Sequence, residues 1–249
     1  MNLVSSTRTD NANGLRYAGM ILIAAALGWF VLEAIAASRF PGYSYVRNYI
    51  SDLGVPELGA FQGRAIHSPL SALANAMFVT QGLAFLAAAI LIVRRTPNAL
   101  GPGPVTEPGR WLFLLFAVGY ALGYVMIGAF HGSEQATANG TFALHVVGGS
   151  LAALCGNAAI LCAAFCAHRL GASAAYRSVS AGLSAVSIAS LVILVLTSDT
   201  ATGNHVASGP WDGFWERGGC YAIILWELVT GVALIRWRRP ATRAGLPHE

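Results

Sequence analysis

PLSALANAMFVTQGLAFLAAAILIV, residues 69–93, contains no charged side chain, and Arg94-Arg95-Thr96-Pro97 follows it directly. A bilayer core is spanned by about 20 apolar residues in a helix. This run meets that length, shows no alternation of period two, and is too long for a strand. Five other stretches read the same way: Tyr17–Ser38, Trp111–Phe130, Phe142–Cys166, Ser178–Ser198 and Gly218–Ile235. With Pro69–Val93 they make six spans, and a β-barrel is excluded by their length and periodicity. The small-x-small triplet Ala34-Ile35-Ala36 resembles a signal-peptidase site, but the apolar stretch is long and Glu33 precedes it, so the first span is expected to stay uncleaved.

The composition of the whole chain agrees. Its 249 residues are 55% hydrophobic and only 10% charged, and the mean hydropathy is +0.59. A soluble domain carries roughly a quarter charged residues. Four cysteines, three of them inside apolar runs, exclude a disulfide scaffold. The expected fold class is all-α: a polytopic membrane protein built as a six-transmembrane-helix bundle. It divides into an N-terminal tail (1–16), a membrane domain (17–237) and an Arg-rich tail (238–249).

The positive charge is carried by fifteen arginines and no lysine. With a cytoplasmic N-terminus, Arg8, Arg16, Arg94, Arg95, Arg110, Arg169, Arg177, Arg236, Arg238, Arg239 and Arg243 lie inside, whereas only Arg39, Arg47, Arg64 and Arg217 lie outside. Eleven against four is a positive-inside bias, so both termini are expected in the cytoplasm. The pI of about 9.1 then reflects topology, and no nucleic-acid partner is implied. Alanine richness without lysine suggests a GC-rich genome and hence the cell membrane of a bacterium, with the outer loops extracytoplasmic.

Those outer connections hold most of the unusual polar residues. The first contains Pro41-Gly42-Tyr43-Ser44-Tyr45-Val46-Arg47-Asn48-Tyr49-Ile50-Ser51-Asp52-Leu53-Gly54. Val46 and Ile50 are spaced as an interfacial helix requires, and Ser51 and Asp52 are able to cap or close it through backbone N–H groups. This Pro-Gly-Tyr…Ile-Ser-Asp-Leu-Gly pattern resembles a family of small bacterial membrane proteins catalogued as domain of unknown function 998. Asn75 with Phe78 and Gly82, Gly128…His131-Gly132 leading to Leu144-His145, and Gly213…Glu216-Arg217 are similar as well. The resemblance extends over about 17–237 and implies six helices but no activity. More distantly, the Ile-Ser-Asp-Leu-Gly loop is similar to one in Frag1/DRAM-type six-helix proteins, some of which act on lipid-anchored proteins.

Two constellations carry candidate chemistry. On the outer side His131, His145 and His205 accompany Asp52, and imidazole with carboxylate is the donor set of a catalytic zinc with an open water position. His131 and Glu134 share a face if their turn is helical. The spacing is no established zinc signature, and helix capping is the plainer alternative. Tyr43, Ser51, Asn75, Glu33 and Trp226 are the candidate substrate-binding residues, and Asp52, His131, His145 and Glu227 the candidate catalytic ones.

The second constellation is the acid inside a span. A charge at mid-bilayer costs at least about 3 kcal/mol, so Glu227 must be protonated, paired or facing water. Gln81, Asn75, Asn157, Ser184 and Ser187 are its potential partners. Three functional readings follow: an outward-facing lipid- or envelope-modifying enzyme, a proton-coupled transporter using Glu227, and a non-catalytic assembly protein. A fourth, acid-initiated isoprenoid chemistry of the terpene-cyclase type, rests on Trp29, Phe30 and Trp226 beside the two acids. Membrane lipids are the expected partners throughout.

Gly119-x-x-x-Gly123 and the serines 180, 184, 187 and 190 read as close helix contacts, more within the chain than between copies.

Overall fold

The computed structural model describes residues 3–100, 107–167, 172–198 and 209–236. Six long helices are each apolar enough to cross a membrane: α1 (Leu3–Arg39), α2 (Ser71–Leu100), α3 (Glu107–Ala129), α5 (Phe142–Cys166), α6 (Ala174–Thr197) and α7 (Asp212–Arg236). A short α4 (Glu134–Ala138) lies between α3 and α5. The protein is therefore an all-α multi-pass membrane protein. Its helices form a closed circuit in which α1 packs on α2, α2 on α3, α3 on α5, α5 on α6, α6 on α7 and α7 on α1. Because six spans are an even number, the start of α1 and the end of α7 lie at one end. The opposite end, here the loop end, carries the connections 40–70 and 130–141, the end of α6 and the start of α7.

Lipid tails are as apolar as leucine, so shape and hydrogen bonding hold these helices together rather than the exclusion of water. Aromatic rings fill the axis. Trp29 of α1 meets Tyr124 of α3 edge-on at 5.5 Å, and Phe85 of α2 lies 4.5 Å from Tyr120 and 6.2 Å from Trp226. At the rim of α3 the small-residue motif works within the chain. A side chain on Gly123 would strike the Ala152 N–H and Gly148 carbonyl of α5, and Gly119 faces Cys155. Along α6, Ser180, Ser184 and Ser187 are fully buried. They bind across the helices: Ser184 donates to Asn157 at 3.0 Å, Asn157 to Ser187 at 2.9 Å, and Ser187 to the Gly219 carbonyl at 2.8 Å.

Two expectations change, and one element was not anticipated. The helix anticipated around Val46 and Ile50 does not form; that segment is a run of turns ending in a 3₁₀ turn, Ser51–Gly54. Local side chains compete with the helical ladder there, as Ser44 N–H donates to Asn48 Oδ1 and Tyr49 N–H to Asp52 Oδ2. The rest of the loop holds a hairpin, β1 (Gly59–Phe61) with β2 (Arg64–Ile66), paired Gly59 to Ile66. Gln62 and Gly63 both have positive φ, as a two-residue hairpin turn of the primed type demands. Finally, the last span begins at Asp212 rather than Gly218, so Glu216 and Arg217 belong to α7 and not to a loop.

Candidate functional site

The polar side chains separate into three groups at different depths. The first is organised by Arg217, near the start of α7. Its Nε donates to Glu33 Oε1 of α1 at 3.1 Å, with Nη2 3.0 Å from the same oxygen. Its Nη1 donates to the carbonyls of Tyr45, Asn48 and Gly213 at 2.8, 2.8 and 3.0 Å. Nη2 also meets the Tyr43 hydroxyl, and the guanidinium lies over the Tyr45 ring at 4.7 Å. Glu33 receives Trp29 Nε1 at 3.1 Å and the Tyr221 hydroxyl at 2.9 Å. A buried ion pair is tolerable when its remaining valences are filled in this way.

A second clamp fixes the middle of the loop. Arg64 of β2 grips Asp52 with Nε on Oδ2 at 2.9 Å and Nη2 on Oδ1 at 3.1 Å. Asn48 Nδ2 adds a third donor at 3.0 Å and the Tyr49 N–H a fourth at 3.1 Å. The Arg64 guanidinium covers the Tyr49 ring at 4.4 Å. Tyr49 in turn donates to Asp212 of α7 at 2.9 Å, and the Ile50 N–H donates to Glu216. Burial pushes the phenol of Tyr43 above its ordinary range, against the pull of Arg217. Burial does the same to Tyr49, helped by the charge and hydrogen bond of Asp212.

The third group lies under the hairpin. Asn75 of α2 donates to the Gly54 carbonyl at 2.9 Å, and the same amide nitrogen is 3.2 Å from His131 Nε2. A side chain at position 54 would collide with the Asn75 amide oxygen, so glycine alone lets the turn come this close. His145 of α5 donates from Nδ1 to the Phe130 carbonyl at 2.8 Å. Its ring stacks on Phe142 at 6.1 Å and 17°, which in turn meets Phe61 of β1 edge-on at 5.3 Å.

These contacts determine the neutral tautomers. A backbone carbonyl only accepts, so His145 carries its proton on Nδ1 and keeps the lone pair of Nε2. Asn75 Nδ2 only donates, so His131 accepts at Nε2 and carries its proton on Nδ1. Among the described residues nothing engages His145 Nε2 or His131 Nδ1, and both rings are half-buried. The His145 ring thus offers a base and the His131 ring a donor.

The remaining candidates lie elsewhere. Glu227, fully buried, accepts from Gln81 Nε2 at 2.7 and 2.8 Å and from the Tyr120 hydroxyl at 3.2 Å, tying α7 to α2 and α3. Asn75, Asn157, Ser184 and Ser187 are not its partners. Trp226 turns toward α6 and donates to Ser180 at 3.0 Å. Ser51 opens the 3₁₀ turn, half-buried. Tyr43 and Glu33 belong to the Arg217 group, apart from Asn75. Glu134 is exposed and starts α4, with Ser133 as its N-cap, so it shares no helical face with His131. His205 lies outside the described residues. Among them, no three His, Cys, Asp or Glu side chains converge as a metal site would require.

Sequence reasoning missed Arg64 and Arg217 as partners of Asp52 and Glu33, and Tyr120 as a partner of Glu227. One signal was available: these two are among only four arginines on the arginine-poor side, in a region already rich in acids.

The chain belongs to the family described as protein of unknown function (DUF998), whose model matches residues 22–233. No curated protein matches it, and no solved structure does.

Proposed function

We propose that this DUF998 protein is an enzyme that modifies a lipid or other envelope ester at the outer face of the membrane, with His145 as general base and His131 as hydrogen-bond donor. One observation carries the reading: two half-buried imidazoles at the loop end each keep one nitrogen unengaged among the described residues, and the nitrogens are complementary. The arginine bias supports an extracytoplasmic loop end.

In this mechanism His145 Nε2 takes the proton of a water or alcohol as its oxygen attacks the acyl or phosphoryl centre. The imidazolium so formed on His145 returns that proton to the leaving oxygen, while His131 Nδ1–H keeps its proton and donates a hydrogen bond to the developing oxyanion. Phe61 and Phe142 shelter the pair on the loop side. Asp52 is a positioning residue here, since all its donors are internal. It holds the 3₁₀ turn, whose Gly54 carbonyl orients Asn75, which orients His131.

The test is incubation of the purified protein with envelope lipids in proteoliposomes, with products followed by mass spectrometry. A general base contributes about 10²–10⁴-fold and a donor to the oxyanion about 10²–10³-fold, so His145→Gln and His131→Gln should each lower turnover on those scales without changing thermal stability. Wild-type turnover in both variants would overturn the proposal. Loss of wild-type turnover on chelation, restored by zinc, would instead assign these imidazoles to a metal.

A further inference from the structure

The loop end carries a second surface, built on α1, α7 and the first part of the loop. Tyr45 is 44% exposed, Trp211 57% and Phe214 49%, with Val46 exposed between them. They are held as one patch. The Phe214 N–H donates to the Val46 carbonyl at 3.0 Å, Trp211 lies 6.2 Å from Phe214, and Tyr45 is fixed against Tyr43 at 5.4 Å and beneath Arg217. Arg39, which ends α1, and Arg47, two residues beyond Tyr45, are both exposed. Neither makes an ion pair or side-chain hydrogen bond among the described residues.

Four acids of the same region are tied up internally; one of them, the half-buried Glu216, accepts from the Ile50 N–H. Glu33, Asp52 and Asp212 are each no more than 2% exposed, the first two inside the arginine clamps and the third on Tyr49. The accessible charge of the patch is therefore cationic. Its depth is set as well, because one candidate span ends at Arg39 and another begins at Asp212. By the length and composition of these spans, that level is where the boundary between hydrocarbon and headgroups is expected. Aromatic rings alone would suit any lipid there; two uncompensated arginines select for negative charge.

We infer that this surface binds a bilayer lipid with an anionic phosphate headgroup, using Arg39 and Arg47 as its cations and Tyr45, Trp211 and Phe214 against the glycerol and upper acyl region. This binding is independent of the imidazole chemistry and survives its failure.

The experiment is thermal unfolding of the full chain in detergent with increasing phosphatidylglycerol or phosphatidylcholine. The wild type should be stabilised at lower mole fractions of phosphatidylglycerol. Arg39→Gln/Arg47→Gln should raise the required mole fraction about fivefold for each arginine, the equivalent of about 1 kcal/mol apiece. Its unfolding in phosphatidylcholine should match the wild type; if it does not, Arg47→Gln alone, in an exposed turn, carries the measurement. Arg236→Gln, at the other end of the bundle, should keep the preference. Equal stabilisation of the wild type by both lipids overturns the inference, as does a preference that persists in the arginine variants or that Arg236→Gln alone removes. A similar shift produced by soluble glycerol 1-phosphate would overturn the assignment to a lipid.

Discussion

The arginine clamps and the imidazole pair occupy the same end of the bundle, but they use their polar atoms in opposite ways. Arg217 and Arg64 spend their donors on carboxylates, carbonyls and a hydroxyl within the chain. His131 and His145 each spend one nitrogen on the chain and leave the other unengaged. A saturated group has nothing left for a substrate, whatever its charge; a half-used group does. On the proposed reading the clamp residues Arg64, Asp52, Glu33 and Arg217 are scaffold, and the imidazoles of His131 and His145 are the groups left for chemistry.

The largest effect should come from Arg217→Ala. It strands Glu33 in the bundle and leaves the carbonyls of Tyr45, Asn48 and Gly213 without their shared donor. Breaking a buried pair from one side costs about 3–5 kcal/mol, so thermal unfolding in detergent should shift far below the wild type. Arg217→Lys should rescue little, because an ammonium cannot reproduce the guanidinium fork. If Arg217→Ala proves as stable as Arg47→Ala, whose guanidinium is exposed, the clamp is not scaffold and the comparison fails.

Asp52→Ala comes next, at about 3 kcal/mol, the lower end of the same range. Here the comparison is sharpened, since Asp52 reaches His131 only through Gly54 and Asn75. Stability and turnover should fall together, whereas His145→Gln should lower turnover alone. A variant of Asp52 that lost turnover at full stability would move this acid from scaffold to chemistry.

How far the sequence reveals this division follows from the range of each interaction. The six spans are legible because each is a local property of about twenty consecutive residues. The start of α7 was less so: Gly218-Gly219 looks like a boundary, yet helical packing carries the turn back to Asp212. The hairpin escaped because its strands have three residues each, and Gln62-Gly63 is a weaker turn signal than Asn-Gly. The clamps left only their arginines as a signal, and the pairing itself was not legible. Glu33 and Arg217 stand at opposite ends of the chain, and only the meeting of α1 with α7 joins them. His131 and His145 were visible as residues, but their tautomers depend on Asn75 and the Phe130 carbonyl, whose positions no spacing encodes.

A third, graded effect separates the two regions by pH. Tyr43 and Tyr49 have phenols raised above their ordinary range by burial, so the folded protein keeps these protons where the unfolded chain loses them. Below about pH 10 both states are protonated and nothing changes. Above it the unfolded state binds fewer protons, and stability should fall by about 1.4 kcal/mol per pH unit for each phenol. Tyr49→Phe should flatten the alkaline limb by one such increment, seen as a smaller shift of the unfolding transition between pH 10 and 11. An unchanged slope would mean that Tyr49 ionises freely and that the clamp layer is open to water.

The smallest effect tests the boundary of the imidazole site. By spacing alone Glu134 belongs beside His131, as a carboxylate one helical turn away. The bend before Ser133 removes it: the helix begins only at Glu134, Ser133 Oγ accepts from the Ala136 N–H at 3.1 Å, and the carboxylate is exposed. What Glu134 retains is a favourable position at a helix N-terminus, worth about 0.3–1 kcal/mol at an exposed site and less in so short a helix. Glu134→Gln should therefore leave turnover unchanged and barely move unfolding. Ser133→Ala should cost about 1 kcal/mol through the lost cap, loosening the connection that carries His131. If turnover instead followed Glu134, the carboxylate would have to reach the imidazoles in the working enzyme, and the site would extend past the bend.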